Sequence, residues 1–147
     1  MDVFFYERNI PNKYGNEHFH LQVFAIPENL TDNVKKVLEY EGKRCDVQEW
    51  LETDSLLGLV DLVADENSYF AIQFPNGKIF YTLNTEKISV QFGRKIFCFV
   101  LNLLDKIDWK SCVVSNEKET QMTDNFRKDF SIYAPVAKKE EENTNEN

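Results

Sequence analysis

His18-Phe19-His20-Leu21-Gln22-Val23 is the stretch whose residue types and spacing could do chemistry. Side chains two apart on a strand share a face, so His18, His20 and Gln22 are expected to point one way and Phe19, Leu21 and Val23 into packing. An imidazole is partly neutral near pH 7 and can act as a nucleophile that also leaves readily from phosphorus. A glutamine amide can donate to a phosphate oxygen, and a second imidazole can orient or counter-charge that group. The plainer reading is two exposed or hydrogen-bonded histidines, since the sequence identifies no acidic partner for them. Histidines at i and i+2 lack an obvious third and fourth ligand, so no metal site is expected.

Three further groups could meet a ligand. Gly93 lacks a Cβ and lets the backbone approach a neighbour at the mouth of a helix, with Gln91, Arg94 and Lys95 beside it. Arg94 is placed to meet a phosphate; the plainer reading in so acidic a chain is an internal pair with a carboxylate. Trp109 with Lys110 could stack a base beside a phosphate, or Trp109 could anchor a core between Ile107 and Cys112. Arg127 and Lys128 could touch an RNA or protein partner; more simply they solvate the outer face of a helix that buries Phe126 and Phe130 at i and i+4.

The elements that must position these groups follow from local pattern. Residues 3–8 and 18–26 are β-prone runs separated by turn formers, and Pro27 ends the second. Thr31 can cap a helix carrying Val34, Val37 and Leu38 that Gly42 stops. Residues 47–51 read as a strand, and Asp54 can cap a short helix with Leu56, Leu57, Val60 and Val63 at helical spacing. The Pro75-Asn76-Gly77-Lys78 turn between the runs 69–74 and 79–83 predicts a β-hairpin, because Asn-Gly supplies positive φ angles. Residues 91–105 read as a mostly buried helix, whose Arg94 and Lys95 oppose its dipole, and 115–133 as a final helix.

The 147 residues carry 17 Lys and Arg against 25 Asp and Glu, a formal charge of -8, which argues against coating nucleic acid by bulk charge. With 42% hydrophobic residues and 12 Phe the chain can bury a core. The apolar run 96–104 is too short for a membrane span, so no membrane association is expected. Residues 1–6 lack the basic start of a secretory leader, and the protein is expected to be intracellular. Cys45, Cys98 and Cys112 form neither a C-x-x-C pair nor a disulfide framework. Residues 138–147 hold no large apolar side chain and are expected to be a disordered acidic tail.

The His-x-His-x-Gln row resembles the catalytic strand of the histidine-triad superfamily, in the branch where Gln replaces the third His and which includes nucleotidyl transferases. That resemblance puts the nucleophile at His20, with His18 and Gln22 supporting. A triad enzyme builds most of its nucleoside pocket upstream of this strand, where this chain has 17 residues. The expected role is therefore non-catalytic, with no cofactor.

Several separated segments together are similar to CwfJ-like splicing factors. Phe5-Tyr6-Glu7-Arg8-Asn9 and the strand from His18 to Pro27 resemble the end of the first conserved C-terminal region of that family. Tyr69-Phe70, Pro75-Asn76-Gly77-Lys78, Gln91-Phe92-Gly93-Arg94, Asp108-Trp109-Lys110-Ser111-Cys112 and Phe126-Arg127-Lys128-Asp129-Phe130 resemble the second. The chain departs from the family pattern at Ile88-Ser89-Val90, where Phe-Pro is common, and at Tyr81, where His is frequent. The resemblance implies an α+β fold: the C-terminal strands of a histidine-triad-like fold (1–30) joined to a small α+β module with a β-hairpin and helices (31–137). It further implies a nuclear adaptor of late or intron-lariat splicing complexes. The partners would be spliceosomal proteins, intron-lariat or small nuclear RNA, and in some members the lariat-debranching enzyme. Met1 is then expected to start a fragment of a longer protein.

Overall fold

The computed structural model describes residues 1–10, 21–55, 59 and 68–133. They fall into two compact units, Met1–Ser111 and Cys112–Asn147. The first is mixed α+β. Its strands β1 (Asp2–Asn9), β2 (Leu21–Ile26), β3 (Leu51–Thr53), β4 (Tyr69–Gln73) and β5 (Ile79–Thr82) form a five-stranded sheet in the order β2-β1-β4-β5-β3. Every pairing is antiparallel.

Alternation along the strands selects one face for burial. Phe4 and Tyr6 of β1, Ile26 of β2, and Phe70 and Ile72 of β4 are all fully buried. They share a core with Val34 and Leu38 of α1 (Thr31–Arg44) and with Phe92, Ile96 and Phe97 of α2 (Phe92–Val100). On the opposite face Ala71, Ile79 and Tyr81 pack with Leu59.

The hairpin forms as the turn sequence predicts, although by a three-residue loop. Phe74 and Lys78 pair across Pro75-Asn76-Gly77, and of these Gly77 alone takes a positive φ, of 86°. Asn76 instead accepts from the Lys78 backbone N–H at 3.1 Å. A type I turn closed by one left-handed glycine needs no second positive φ.

Helix α1 departs from expectation at both ends. Thr31 is its first residue and its hydroxyl donates to Asp2 on β1, so it ties helix to sheet instead of capping. The helix also runs through Gly42 to Arg44. A Cβ at Gly42 would sit 2.8 Å from Trp50 Nε1, so this glycine serves close packing and not termination.

Helix α2 ends sooner than the apolar run suggests. Asn102 adopts a φ of 55°, and the N–H groups of Leu103 and Asn102 return to the carbonyls of Cys98 and Phe99. This is a Schellman stop, signalled by an asparagine able to enter the left-handed region. The strand expected at 47–51 begins later, at Leu51, and Val47 is buried in the preceding turn. Leu59 apart, the expected helix at 56–63 lies outside the described residues, as does the acidic tail.

In the second unit, α3 (Asn116–Phe130) is capped by Ser115, whose Oγ accepts from the Lys118 N–H at 3.4 Å. Phe126 and Phe130 stack on one another, centroids 5.7 Å apart, yet both are exposed, contrary to the expected burial. The i, i+4 spacing aligned the rings correctly, but spacing alone does not supply an opposing surface.

Candidate functional site

Of the His-x-His-x-Gln row, Gln22 lies within β2, whereas His18 and His20 are outside the described residues. The register Tyr6↔Gln22 and Phe4↔Phe24 puts Gln22 on the helix-covered face. Leu21 and Val23, expected to pack, are instead 52% and 56% exposed. The expectation fails because strand parity is set by the partner: Phe4 and Tyr6 are the buried row of β1, and whatever faces them shares their side.

Tyr6 organises the Gln22 end of the sheet. Its ring is 1% exposed, and its hydroxyl donates to Gln22 Oε1 at 2.6 Å. The ring lies against Gly93 at the start of α2, where a Cβ would stand 2.4 Å from Tyr6 Cε2. Burial pushes the Tyr6 phenol well above its ordinary range, and the nearby Arg94 charge offsets this in part. One residue thus joins the strand of Gln22 to the Gln-Phe-Gly-Arg segment. A tyrosine in a buried strand row was the available signal, because a buried phenol needs a hydrogen-bond partner.

The cations at the head of α2 have internal partners. Arg94 Nε donates to the Lys106 carbonyl at 2.7 Å, meeting a backbone oxygen where a phosphate or carboxylate was expected. Lys95 Nζ lies 2.5 Å from Glu41 Oε2, and Arg44 Nη1 lies 3.2 Å from Glu41 Oε1, so the acid of α1 ties α2 in place. The Glu41 side chain is almost completely buried, while Lys95 is about two-thirds covered. Removing the cation by Lys95→Ala should cost about 2 kcal/mol, because the buried carboxylate keeps only the more exposed Arg44. Urea denaturation measures this; a change below about 0.5 kcal/mol, the size of a surface effect, would contradict it. Gln91 is half-buried at the N-terminal boundary of α2, its carbonyl accepting from the Lys95 N–H at 2.8 Å.

Trp109 is 61% exposed on a 3-10 turn, not the core anchor that its apolar neighbours suggest. The chain there curls tightly: Ser111 Oγ donates to the carbonyls of Asp105 and Asp108, and the Lys110 N–H to Asp108 Oδ1 at 3.1 Å. These local bonds hold the turn without using the indole as packing, leaving Trp109 and the exposed Lys110 adjacent on the outside. Arg127 and Lys128 are exposed on α3, with Arg127 Nη1 3.8 Å from Asp124.

A family model described as "Protein similar to CwfJ C-terminus 2" matches residues 27–134. The chain is 29% identical over 132 residues to human "CWF19-like protein 1", covering 87% of this chain and 24% of that protein. It is 28% identical over 129 residues to rice "Zinc finger CCCH domain-containing protein 59", covering 82% of this chain and 21% of the relative. With the fission yeast "CWF19-like protein mug161" it shares 28% over 120 residues, 79% of this chain and 20% of the other. The chain therefore spans about a quarter or less of these relatives.

Proposed function

The chain belongs to the family of proteins similar to the second C-terminal region of CwfJ, and from that membership we propose that it is a non-catalytic docking element of a pre-mRNA splicing factor. It acts in the nucleus, in late or post-splicing intron-lariat complexes, where it holds RNA against spliceosomal proteins. Strands β1 and β2 are the last strands of a histidine-triad-like region that serves attachment. The observation that carries the RNA contact is Trp109. A large indole left outside a structured turn, with Lys110 next to it, suits a stacked base and its phosphate. Such a contact is local, which reconciles RNA binding with a net charge of -8. Arg127 and Lys128 offer cations on the second unit.

Crosslinking in the assembled particle tests this reading: Trp109 and Lys110 should join to intron or small nuclear RNA. Because stacking on an aromatic contributes about 1–3 kcal/mol per base, Trp109→Ala should lower single-stranded RNA affinity roughly tenfold. Affinity should also fall as salt rises. Crosslinks to protein alone, for example to a lariat-debranching enzyme, would replace RNA docking with protein recruitment.

A further inference from the structure

Helix α3 carries its large apolar side chains on the outside. Met122, Phe126 and Phe130, with Tyr133 just past the helix end, are between 50% and 74% exposed. Steps of four and three residues bring them to one side of the helix. The rings of Phe126, Phe130 and Tyr133 follow one another with centroids 5.7 and 6.3 Å apart. Beside the start of this row, Val113 and Val114 line a groove of about 500 Å³ together with Met122 and Phe126. The same unit therefore offers an apolar groove towards one end of the helix and projecting rings at the other. Such a surface is self-complementary when two copies meet antiparallel, because a two-fold axis brings each groove to the other copy's rings. A parallel pair would set groove against groove.

Charge gives the register. Lys118 and Asp129 are separated by close to three helical turns, so they lie along one edge of the apolar row, about 16 Å from each other. Both are exposed, and among the described residues neither side chain pairs with an opposite charge, whereas Arg127 lies by Asp124. They are too far apart to meet within one chain. In an antiparallel pair like edges adjoin, so each Lys118 meets the Asp129 of the second copy. The middle of the Lys118–Asp129 span falls within a single residue of the middle of the Met122–Phe126 pair. One register satisfies both: it sets Met122 against Phe126 of the other copy and puts Phe130 and Tyr133 at the level of its groove. We propose that α3 is a self-association surface whose occupant is α3 of a second copy of this chain, packed antiparallel about a two-fold axis. The second copy supplies the opposing surface for Phe126 and Phe130.

Sedimentation equilibrium of the full chain tests the pairing. A single helix pair is at the small end for a specific dimer, so a dissociation constant on the order of tens of micromolar is expected. The mass should rise with concentration from 17.3 kDa towards twice that value. Phe130→Asp brings a carboxylate to the groove and should weaken association more than about tenfold. Its helical circular dichroism should be retained, because the side chain is exposed. Should that variant lose its helix, charge exchange decides alone. Lys118→Glu or Asp129→Lys should each weaken association roughly fivefold by turning two attractive contacts into repulsive ones, and the two changes together should restore it. Restoration reports contact between copies, since the two positions cannot reach each other along one helix. A chain that keeps a mass of 17.3 kDa up to about 1 mM, where a micromolar dimer is saturated, overturns the proposal and leaves the face to a different protein. A dimer that a folded Phe130→Asp leaves intact, that the single reversals do not weaken, or that the double exchange does not restore overturns it equally.

Discussion

Gly93→Ala should destabilise the Met1–Ser111 unit by about 3 kcal/mol, lowering its melting temperature by roughly 15 °C. The added Cβ would lie 2.4, 2.6 and 2.6 Å from three atoms of the Tyr6 ring, well inside contact distance. The ring has nowhere to retreat, since Phe24, Phe70 and Phe97 surround it, so α2 would have to lift away from β1. Helix propensity argues the other way. Gly93 lies within α2 without a positive φ, and alanine at such a site would ordinarily stabilise by about 1 kcal/mol. The two effects differ in sign, so thermal denaturation followed by circular dichroism separates them. A variant as stable as the parent would mean that Tyr6 yields, and with it the geometry that holds Gln22.

Phe97→Ala should cost about 4 kcal/mol, the usual range for emptying a buried phenylalanine site. Phe97 is fully buried and stacks on Phe24 at 4.4 Å with rings nearly parallel, while meeting Phe4 edge-on at 5.5 Å. It is the helical side of the aromatic cluster that fills the space between α2 and the β1–β2 pair. Small domains are stable by only about 5–15 kcal/mol, so the loss is a large fraction of the total. The urea midpoint should fall steeply with the slope unchanged; an effect under about 1.5 kcal/mol would show that the cluster collapses to fill the cavity. Trp109→Ala, by contrast, should change stability by no more than about 0.5 kcal/mol, since its indole is outside the core. Loss of RNA affinity in that variant can then be read as a contact and not as unfolding.

Short-range rules made much of this chain legible from its residues. The Pro75-Asn76-Gly77-Lys78 turn, the final helix α3 and the apolar face of α2 depend on neighbours within a few positions, and each lies where pattern puts it. Gly93 was also readable as a place of close backbone approach, although what approaches it was not.

Tertiary structure decided the rest, and the reason is distance along the chain. Whether Gln22 or Leu21 faces the helices depends on pairing with β1, sixteen residues from Tyr6 to Gln22, and a shift of one residue would exchange the two faces. Lys95 finds Glu41 across fifty-four residues, a pairing that no local spacing encodes. Trp109 is exposed because the turn closes through serine and backbone bonds, leaving the indole unneeded for packing. Residue type told which groups could act; the long-range register and packing told which of them stand where they can.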